Sequence, residues 1–187
     1  MVTQNPNLIP PKQMEASMTT STSSKPLFSE VFKKVHNAKV KAKKIEVLKS
    51  YDTPGLRRIL KGAFDPRIVW ELPPGTPPFM ANEAPAGTQH TYLESESSKL
   101  WHFIRGGDDK LNRVRKETLF IQVLEGLHKD EAEVLIGVKD KKLNNMFKGL
   151  SESVVKEAFG WDDNFMIPEP DVYPQASRSA SGLVADA

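Results

Sequence analysis

The feature that most constrains the fold is a proline-rich stretch in the middle of the chain. Six of the twenty residues from 66 to 85 are proline, including the run Pro73-Pro74-Gly75-Thr76-Pro77-Pro78. Proline fixes φ and offers no backbone donor, so this run excludes helix interior and central strand. We expect a long Pro-rich loop at residues 66–91. Large apolar side chains flank the prolines, which favours an extended strap over the seam between two helical layers; the alternative is a polyproline docking segment for a partner.

Helical periodicity lies on both sides of this loop. Leu27, Phe28, Val31, Phe32 and Val35 recur at spacings of three and four residues, which predicts one apolar helix face. Asp52-Thr53-Pro54 is a helix start signal for residues 54–64. Further helices are predicted over about 39–51, 93–105, 111–127, 128–139 and 152–159, with Val40, Trp101 and Val114 among the inward side chains. No segment alternates as a strand would. The prediction is an all-α, compact bundle of about six or seven short helices in two helical parts joined by the loop.

The ends of the chain differ in composition from the middle. Residues 1–24 combine three prolines with a Ser/Thr run, and residues 168–187 repeat that character. Such segments bury too little apolar surface to offset the entropy of ordering, so both termini are expected to be disordered. A single helical domain is predicted over 25–167. The start codon is open between Met1, Met14 and Met18, with Met18 as the hypothesis.

Charge is unevenly distributed along the chain. The 187 residues carry 26 Lys and Arg against 24 Asp and Glu, but residues 25–67 hold twelve against four, and residues 68–187 hold thirteen against nineteen. A basic stripe can neutralise phosphates and release counterions. The favoured interpretation of the basic stripe is a solvated helical face. The stripe could alternatively dock on an acidic partner or on the acidic half of a second copy. The candidate surface for nucleic acid or an acidic partner comprises Lys33, Lys34, Lys39, Lys41, Lys43, Lys44, Arg57 and Arg58.

The residues that most catalytic chemistries need are missing or scattered. Cysteine is absent, which excludes disulfides, thiolate zinc sites and a thiol nucleophile. None of the four histidines lies three or four residues from another, and no phosphate-binding, dinucleotide or hydrolase motif occurs. We therefore expect no enzyme, no metal and no cofactor. No apolar run approaches the ~20 residues that span a bilayer, and no secretory signal precedes the helices, so no membrane partner is expected and the expected compartment is cytoplasmic.

Aromatic side chains supply a second candidate surface. Phe159, Trp161 and Phe165 surround an acidic turn, while Trp70 and Phe79 lie in the loop. Most such aromatic residues seal a core edge, and a minority form a contact patch for a protein. His128 is expected to help cap a helix start. Asp130 and Glu131 are expected in the first turn of that helix, where its dipole favours negative charge.

Several segments resemble a known family when taken together. They are Phe28–Phe32, Tyr51–Arg57, Leu124–Glu133, Lys139–Leu143 and Val155–Phe159. Over residues 27–161 the chain resembles an uncharacterised family of small proteins from T4-like tailed bacteriophages, including cyanophages. The resemblance implies a viral origin and a host cytoplasm or virion setting, but no activity and no catalytic residue.

These observations predict a non-enzymatic phage accessory protein that binds a phage or host protein in host takeover, replication or transcription. Sequence-independent nucleic-acid binding through the basic helices is one alternative. A minor virion or assembly component is another. The sequence leaves the partner, the oligomeric state and the function itself unassigned.

Overall fold

The computed structural model describes residues 25–168, and its regular elements in that range are helices. The all-α prediction is confirmed: eight α-helices and one 3₁₀ helix are formed, and between residues 25 and 168 there are isolated β-bridges but no strand. Each described helix is too short or too polar to cross a membrane. The elements are α1 (Phe28–Asn37), α2 (Lys41–Ser50), α3 (Pro54–Phe64), α4 (Leu93–Glu96), the 3₁₀ helix (Ser97–Phe103), α5 (Arg113–Gly126), α6 (Lys129–Lys139), α7 (Leu143–Met146) and α8 (Glu152–Phe159).

The helix series differs from the prediction in two places. The helix expected over residues 93–105 is a four-residue α4 continued by the 3₁₀ helix, and α7 was not predicted. The disorder predicted for residues 1–24 and 168–187, and the choice of start codon, concern positions outside the described range, apart from Pro168. The single domain over 25–167 stays a prediction.

Helix α6 is the centre of the fold. Its side chains are buried on nearly every side, as expected of a helix that is apolar around most of its circumference. It packs against α1, α3, α4, α5 and α7, whereas α2 packs against α1 and α8. His128 is its N-cap: the imidazole Nδ1 accepts the backbone N–H of Asp130 at 3.2 Å, which confirms the predicted cap.

The apolar faces predicted for α1 and α3 are confirmed. Phe28, Val31, Phe32 and Val35 are buried, as are three large aliphatic side chains of α3. The start of α3 also follows its signal, because the Thr53 hydroxyl accepts the backbone N–H of Leu56 at 3.1 Å and proline occupies the first helical position.

Three side chains predicted to face inward are exposed. Val40 is 57% exposed because it is the extended N-cap residue before α2. Val114 is 73% exposed because the buried face of α5 is formed by Lys116, Phe120 and Leu124, spaced four apart. Trp101 is 47% exposed for a different reason. A 3₁₀ helix has three residues per turn, so the buried positions are Ser97, Leu100 and Phe103, and Trp101 lies on the next face.

The Pro-rich loop, residues 66–91, packs across the surface and is called the strap from here on. Its backbone pairs with the end of the 3₁₀ helix region: Val69 O accepts Arg105 N–H and Glu71 N–H donates to Phe103 O, both at 2.8 Å. Further along, Asn82 O accepts the N–H of Lys129 at 3.2 Å. These contacts agree with the strap and not with a free docking segment.

Two buried lysines hold the strap. The Lys116 ammonium, on a side chain 3% exposed, donates to the Glu71 carboxylate at 2.6 Å. The Lys139 ammonium, on a side chain 2% exposed, donates to the carbonyls of Pro73 and Gly75 at 2.8 and 3.0 Å and to Asp140. Because the Asp140 carboxylate also accepts Gly75 N–H at 3.0 Å, the Pro73–Gly75 turn is fixed on α6.

Candidate binding cleft

The basic residues predicted as one surface are distributed over α1, the α1–α2 connection, α2 and α3, and most of them have partners. We call Lys33, Lys34, Lys39, Lys41, Lys43, Lys44, Arg57 and Arg58 the lysine surface. Lys33 pairs with Asp130, Lys41 with Glu157 at 2.5 Å, and Lys43 with Glu46 at 2.7 Å. The acidic half of the same chain therefore neutralises part of the basic half.

The remaining members of the lysine surface also make internal contacts, with one exception. The Arg57 guanidinium makes two hydrogen bonds to the Asp52 carboxylate, each 2.6 Å, and these raise the pKa of Arg57 and lower that of Asp52. Lys34 donates to the Tyr51 hydroxyl, and Lys44 donates to Val35 O at 3.0 Å. Lys39 is the exception, because within residues 25–168 its ammonium makes neither an ion pair nor a hydrogen bond.

The aromatic cluster Phe159, Trp161 and Phe165 is buried, at 7%, 7% and 1% exposure. Its rings pack in sequence, with centroids 4.9 and 6.1 Å apart. Cations cover it from outside: Arg57 lies over Phe159 at 5.3 Å and Lys61 over Trp161 at 5.1 Å. This burial agrees with the core-edge role, which is the more common one for such aromatic residues, and the contact role stays a prediction.

The strap aromatics are half-buried. Phe79 packs against the core. The Trp70 indole N–H donates to Gly62 O at 3.1 Å, and a Cβ on Gly62 would come within 3.2 Å of the Trp70 ring. The absence of a side chain at Gly62 thus lets Trp70 lie directly on α3.

Trp70 and Trp101 both line one cleft. We call it the Trp101 cleft. It has a volume of about 280 Å³ and lies between α3, the strap and the 3₁₀ helix. Its lining includes the apolar side chains of Ile68, Leu100 and Ile104, which we call the floor, and the cations Arg58 and Lys61, which we call the rim. The lining residues are Arg58, Lys61, Gly62, Ile68, Trp70, Ser97, Ser98, Leu100, Trp101 and Ile104.

Trp101 is positioned by its neighbours. The His102 ring stacks on it with centroids 3.8 Å apart, and His102 Nδ1 lies 2.7 Å from the Asp108 carboxylate. This hydrogen bond lowers the pKa of the Asp108 carboxyl. A Cβ on Gly107 would lie 1.8 Å from the Trp101 carbonyl oxygen, so the turn after the 3₁₀ helix requires glycine there. An exposed tryptophan is thus held in place from two sides.

The two rim cations differ from the half of the lysine surface that forms ion pairs, which is Lys33, Lys41, Lys43 and Arg57. Among the residues that the structure describes, neither Arg58 nor Lys61 forms an ion pair. Arg58 reaches the Ser97 hydroxyl at 3.5 Å, and the Lys61 ammonium lies 5.1 Å from the centroid of the Trp161 ring. The lining of the cleft therefore combines apolar side chains, two tryptophans and two cations that form no ion pair within residues 25–168.

The sequence prediction missed Trp101 because α-helical spacing placed it inside. The signal available was the three-residue spacing of Ser97, Leu100 and Phe103, which suits a 3₁₀ helix better than an α-helix. Of the predicted site residues, the cleft brings together Arg58 and Trp70; the others lie outside its lining.

Fold and cleft together define the class: a small all-helical protein with an exposed tryptophan in an apolar, cation-rimmed cleft. Residues 25–168 contain no group of three or more His, Asp or Glu side chains placed to hold a metal ion. The chain belongs to DUF6433, a family of unknown function, which matches residues 31–145. No curated protein and no solved structure matches the chain.

Proposed function

We propose that this protein is a non-enzymatic binding protein that engages a protein partner through the Trp101 cleft. The observation that carries the proposal is the 47% exposure of Trp101 beside an apolar floor. Removing a large aromatic side chain from water is favourable, so a partner that covers it gains binding free energy. Tryptophan and arginine are also among the residues that most often dominate protein interfaces.

The size of the Trp101 cleft suits part of a protein partner better than a whole small molecule. Its volume of about 280 Å³ is at the lower limit of ligand pockets, which run from about 300 to 1,000 Å³. A cleft of that size takes one or two side chains of a larger partner. The resemblance to T4-like phage proteins implies a setting in the host cytoplasm or the virion. We propose as the partner a phage or host protein of host takeover, replication or transcription.

The test is site-specific photo-crosslinking from the cleft in lysate of the native host, infected and uninfected. The benzophenone amino acid is placed at Ser98 in the lining, and at exposed Ser153 on α8 as the matched control. We expect a discrete crosslinked species from Ser98 that disappears when Trp101→Ala is added and is missing from the Ser153 control. A species that survives Trp101→Ala, or none at all, would reject the proposal.

Nucleic-acid binding through the lysine surface is the second candidate. The free charge of Lys39 and the concentration of cations on α1 and α2 favour it, whereas the ion pairs to Asp130 and Glu157 weaken it. A role as a minor virion or assembly component is a third proposal, and it requires the protein to be detected by mass spectrometry of purified particles.

A further inference from the structure

We infer that the Trp101 cleft recognises a short extended segment in which one apolar or aromatic side chain is flanked by carboxylates. This inference rests on the proposed function and names the chemistry of its partner. It follows from three properties of the cleft: its size, its lining and the sign of its rim.

Size and lining specify the central side chain. Ile68, Leu100 and Ile104 line the same cleft as Trp70 and Trp101, and its volume is about 280 Å³. A charged or strongly polar group placed there would lose its hydration without finding donors in return. The Ser97 and Ser98 hydroxyls already donate to backbone carbonyls of α4 at 2.6 and 2.9 Å. The cleft therefore suits an aliphatic or aromatic side chain.

The rim specifies the flanking charge. Arg58 and Lys61 are three residues apart on α3, so they lie on one face of the helix beside the opening. Within the described range no carboxylate pairs with either, so an incoming carboxylate meets uncompensated positive charge. Acidic residues on both sides of an apolar one would reach both cations while the apolar side chain fills the cleft.

The same features argue against a nucleotide as the occupant. A base stacked on Trp101 would bring a sugar and phosphates onto an apolar floor, and nucleic-acid grooves track the backbone with a longer row of cations than the two found here. A single-stranded oligonucleotide is therefore included in the test as the alternative ligand.

The test measures fluorescence anisotropy of labelled peptides with the full-length protein. The probe is Gly-Asp-Glu-Leu-Phe-Asp-Glu-Gly; one control replaces Leu-Phe by Ser-Ser, and a second replaces every acidic residue by Lys. We expect the probe to bind more tightly than either control. Trp101→Ala should weaken binding of the probe about tenfold or more, as truncation of an interface tryptophan does.

A charge swap separates recognition from folding. The double variant Arg58→Glu, Lys61→Glu should lose the acidic peptide and gain the lysine peptide, a result that an unfolded protein cannot give. Arg105→Glu with Lys110→Glu is the matched control, because both residues are exposed and outside the cleft lining.

Three outcomes would overturn the inference. They are equal affinity for all three peptides, binding unaffected by the Arg58 and Lys61 swap, and tighter Trp101-dependent binding of a (dT)₁₂ oligonucleotide. Residues 169–174, Glu-Pro-Asp-Val-Tyr-Pro, have the proposed composition themselves. If Glu169→Lys with Asp171→Lys strengthens peptide binding, the occupant is the chain's own segment and the assignment to a partner is wrong.

Failure of the peptide assay and failure of the proposed function are distinguishable. A Trp101-dependent crosslink from Ser98 alongside peptides that do not bind would keep the protein-binding function and reject only this partner chemistry. Loss of both would reject the function as well.

Discussion

The buried carboxylate of Glu131 on α6 accepts the backbone N–H of Leu93, the first residue of α4, at 2.9 Å. Its second oxygen accepts the N–H of Phe28, the first residue of α1, at 3.1 Å. One side chain of the central helix thus satisfies the free N-terminal donors of two other helices, a task usually done by local caps. Glu131 is 2% exposed, so water does not compete for these bonds.

Removal of this carboxylate should therefore destabilise the fold strongly. Glu131→Ala leaves two buried N–H groups without acceptors, and we expect a loss of about 2–4 kcal/mol in the free energy of unfolding. Glu131→Gln keeps one acceptor oxygen and should lose less. Urea denaturation measures both, with Glu133→Ala as the control because Glu133 lies on the same helix and is exposed. Equal stability of the Glu131→Ala and Glu133→Ala variants would contradict the dual-cap role.

The same residue should give stability a specific pH dependence. Burial raises the pKa of the Glu131 carboxyl, and the N–H donors of Leu93 and Phe28 oppose that rise only in part. From the ordinary glutamate value of about 4.3 up to the raised folded-state value, the folded protein keeps a proton that the unfolded chain has released. The contribution of Glu131 to stability must therefore fall as pH rises through that window.

Comparison with Glu131→Gln isolates this effect. Asp52 and Asp130 act in the opposite direction, because Arg57 and Lys33 lower their pKa values and their stabilisation is lost as pH falls. Both aspartates are present in the wild type and in Glu131→Gln, so their contributions cancel when one free energy of unfolding is subtracted from the other. We expect the stability of the wild type minus that of Glu131→Gln to decrease as pH rises from 4 towards neutrality. A constant or increasing difference would show that burial does not control this carboxyl.

Amphipathic spacing predicted the parts of the fold where apolar side chains alone form the contact. It located α1 and α3 and their buried faces, since Phe32 and Leu56 sit on rows of aliphatic and aromatic residues. It also located α5 but misassigned part of its buried face, because that face contains Lys116, whose charge is satisfied by Glu71 from the distant strap. Nothing in the sequence indicates that Lys116 is buried and paired with a carboxylate forty-five residues away.

Two further features, Trp101 in the candidate site and Glu131 in the core, were also not predicted from the sequence. Trp101 lies in a 3₁₀ segment, where a period of three replaces the α-helical period and moves the ring to the surface. Glu131 was expected to interact with the dipole of its own helix, whereas its carboxylate caps two others. A local change of helical period decided the case of Trp101, and contacts between residues far apart in the chain decided the case of Glu131.

The strap gives a third prediction. Lys139→Met removes the ammonium that holds the Pro73 and Gly75 carbonyls and leaves Asp140 as a buried charge without its cation. Removing one partner of a buried pair costs about 3–5 kcal/mol, so we expect a loss of that order. Lys142→Met is the matched control, since Lys142 is an exposed lysine three residues away. Amide hydrogen exchange over residues 69–80 should accelerate in Lys139→Met only; unchanged exchange there would mean that the strap is held elsewhere.

The ion pairs across the lysine surface give a fourth prediction, which concerns nucleic acid. Asp130 and Glu157 place carboxylates beside Lys33 and Lys41, so an approaching phosphate meets both charges at once. The double variant Asp130→Asn, Glu157→Gln frees both lysines. It should bind a labelled duplex more tightly than the wild type at about 50 mM salt, with a logarithmic salt slope steeper by about 0.9 for each phosphate newly engaged. Glu133→Gln with Asp109→Asn changes the net charge equally at exposed positions that form no ion pair within residues 25–168, and it should have little effect. Equal gains in the two double variants would show that net charge alone governs binding, and the lysine surface would then be a solvated face.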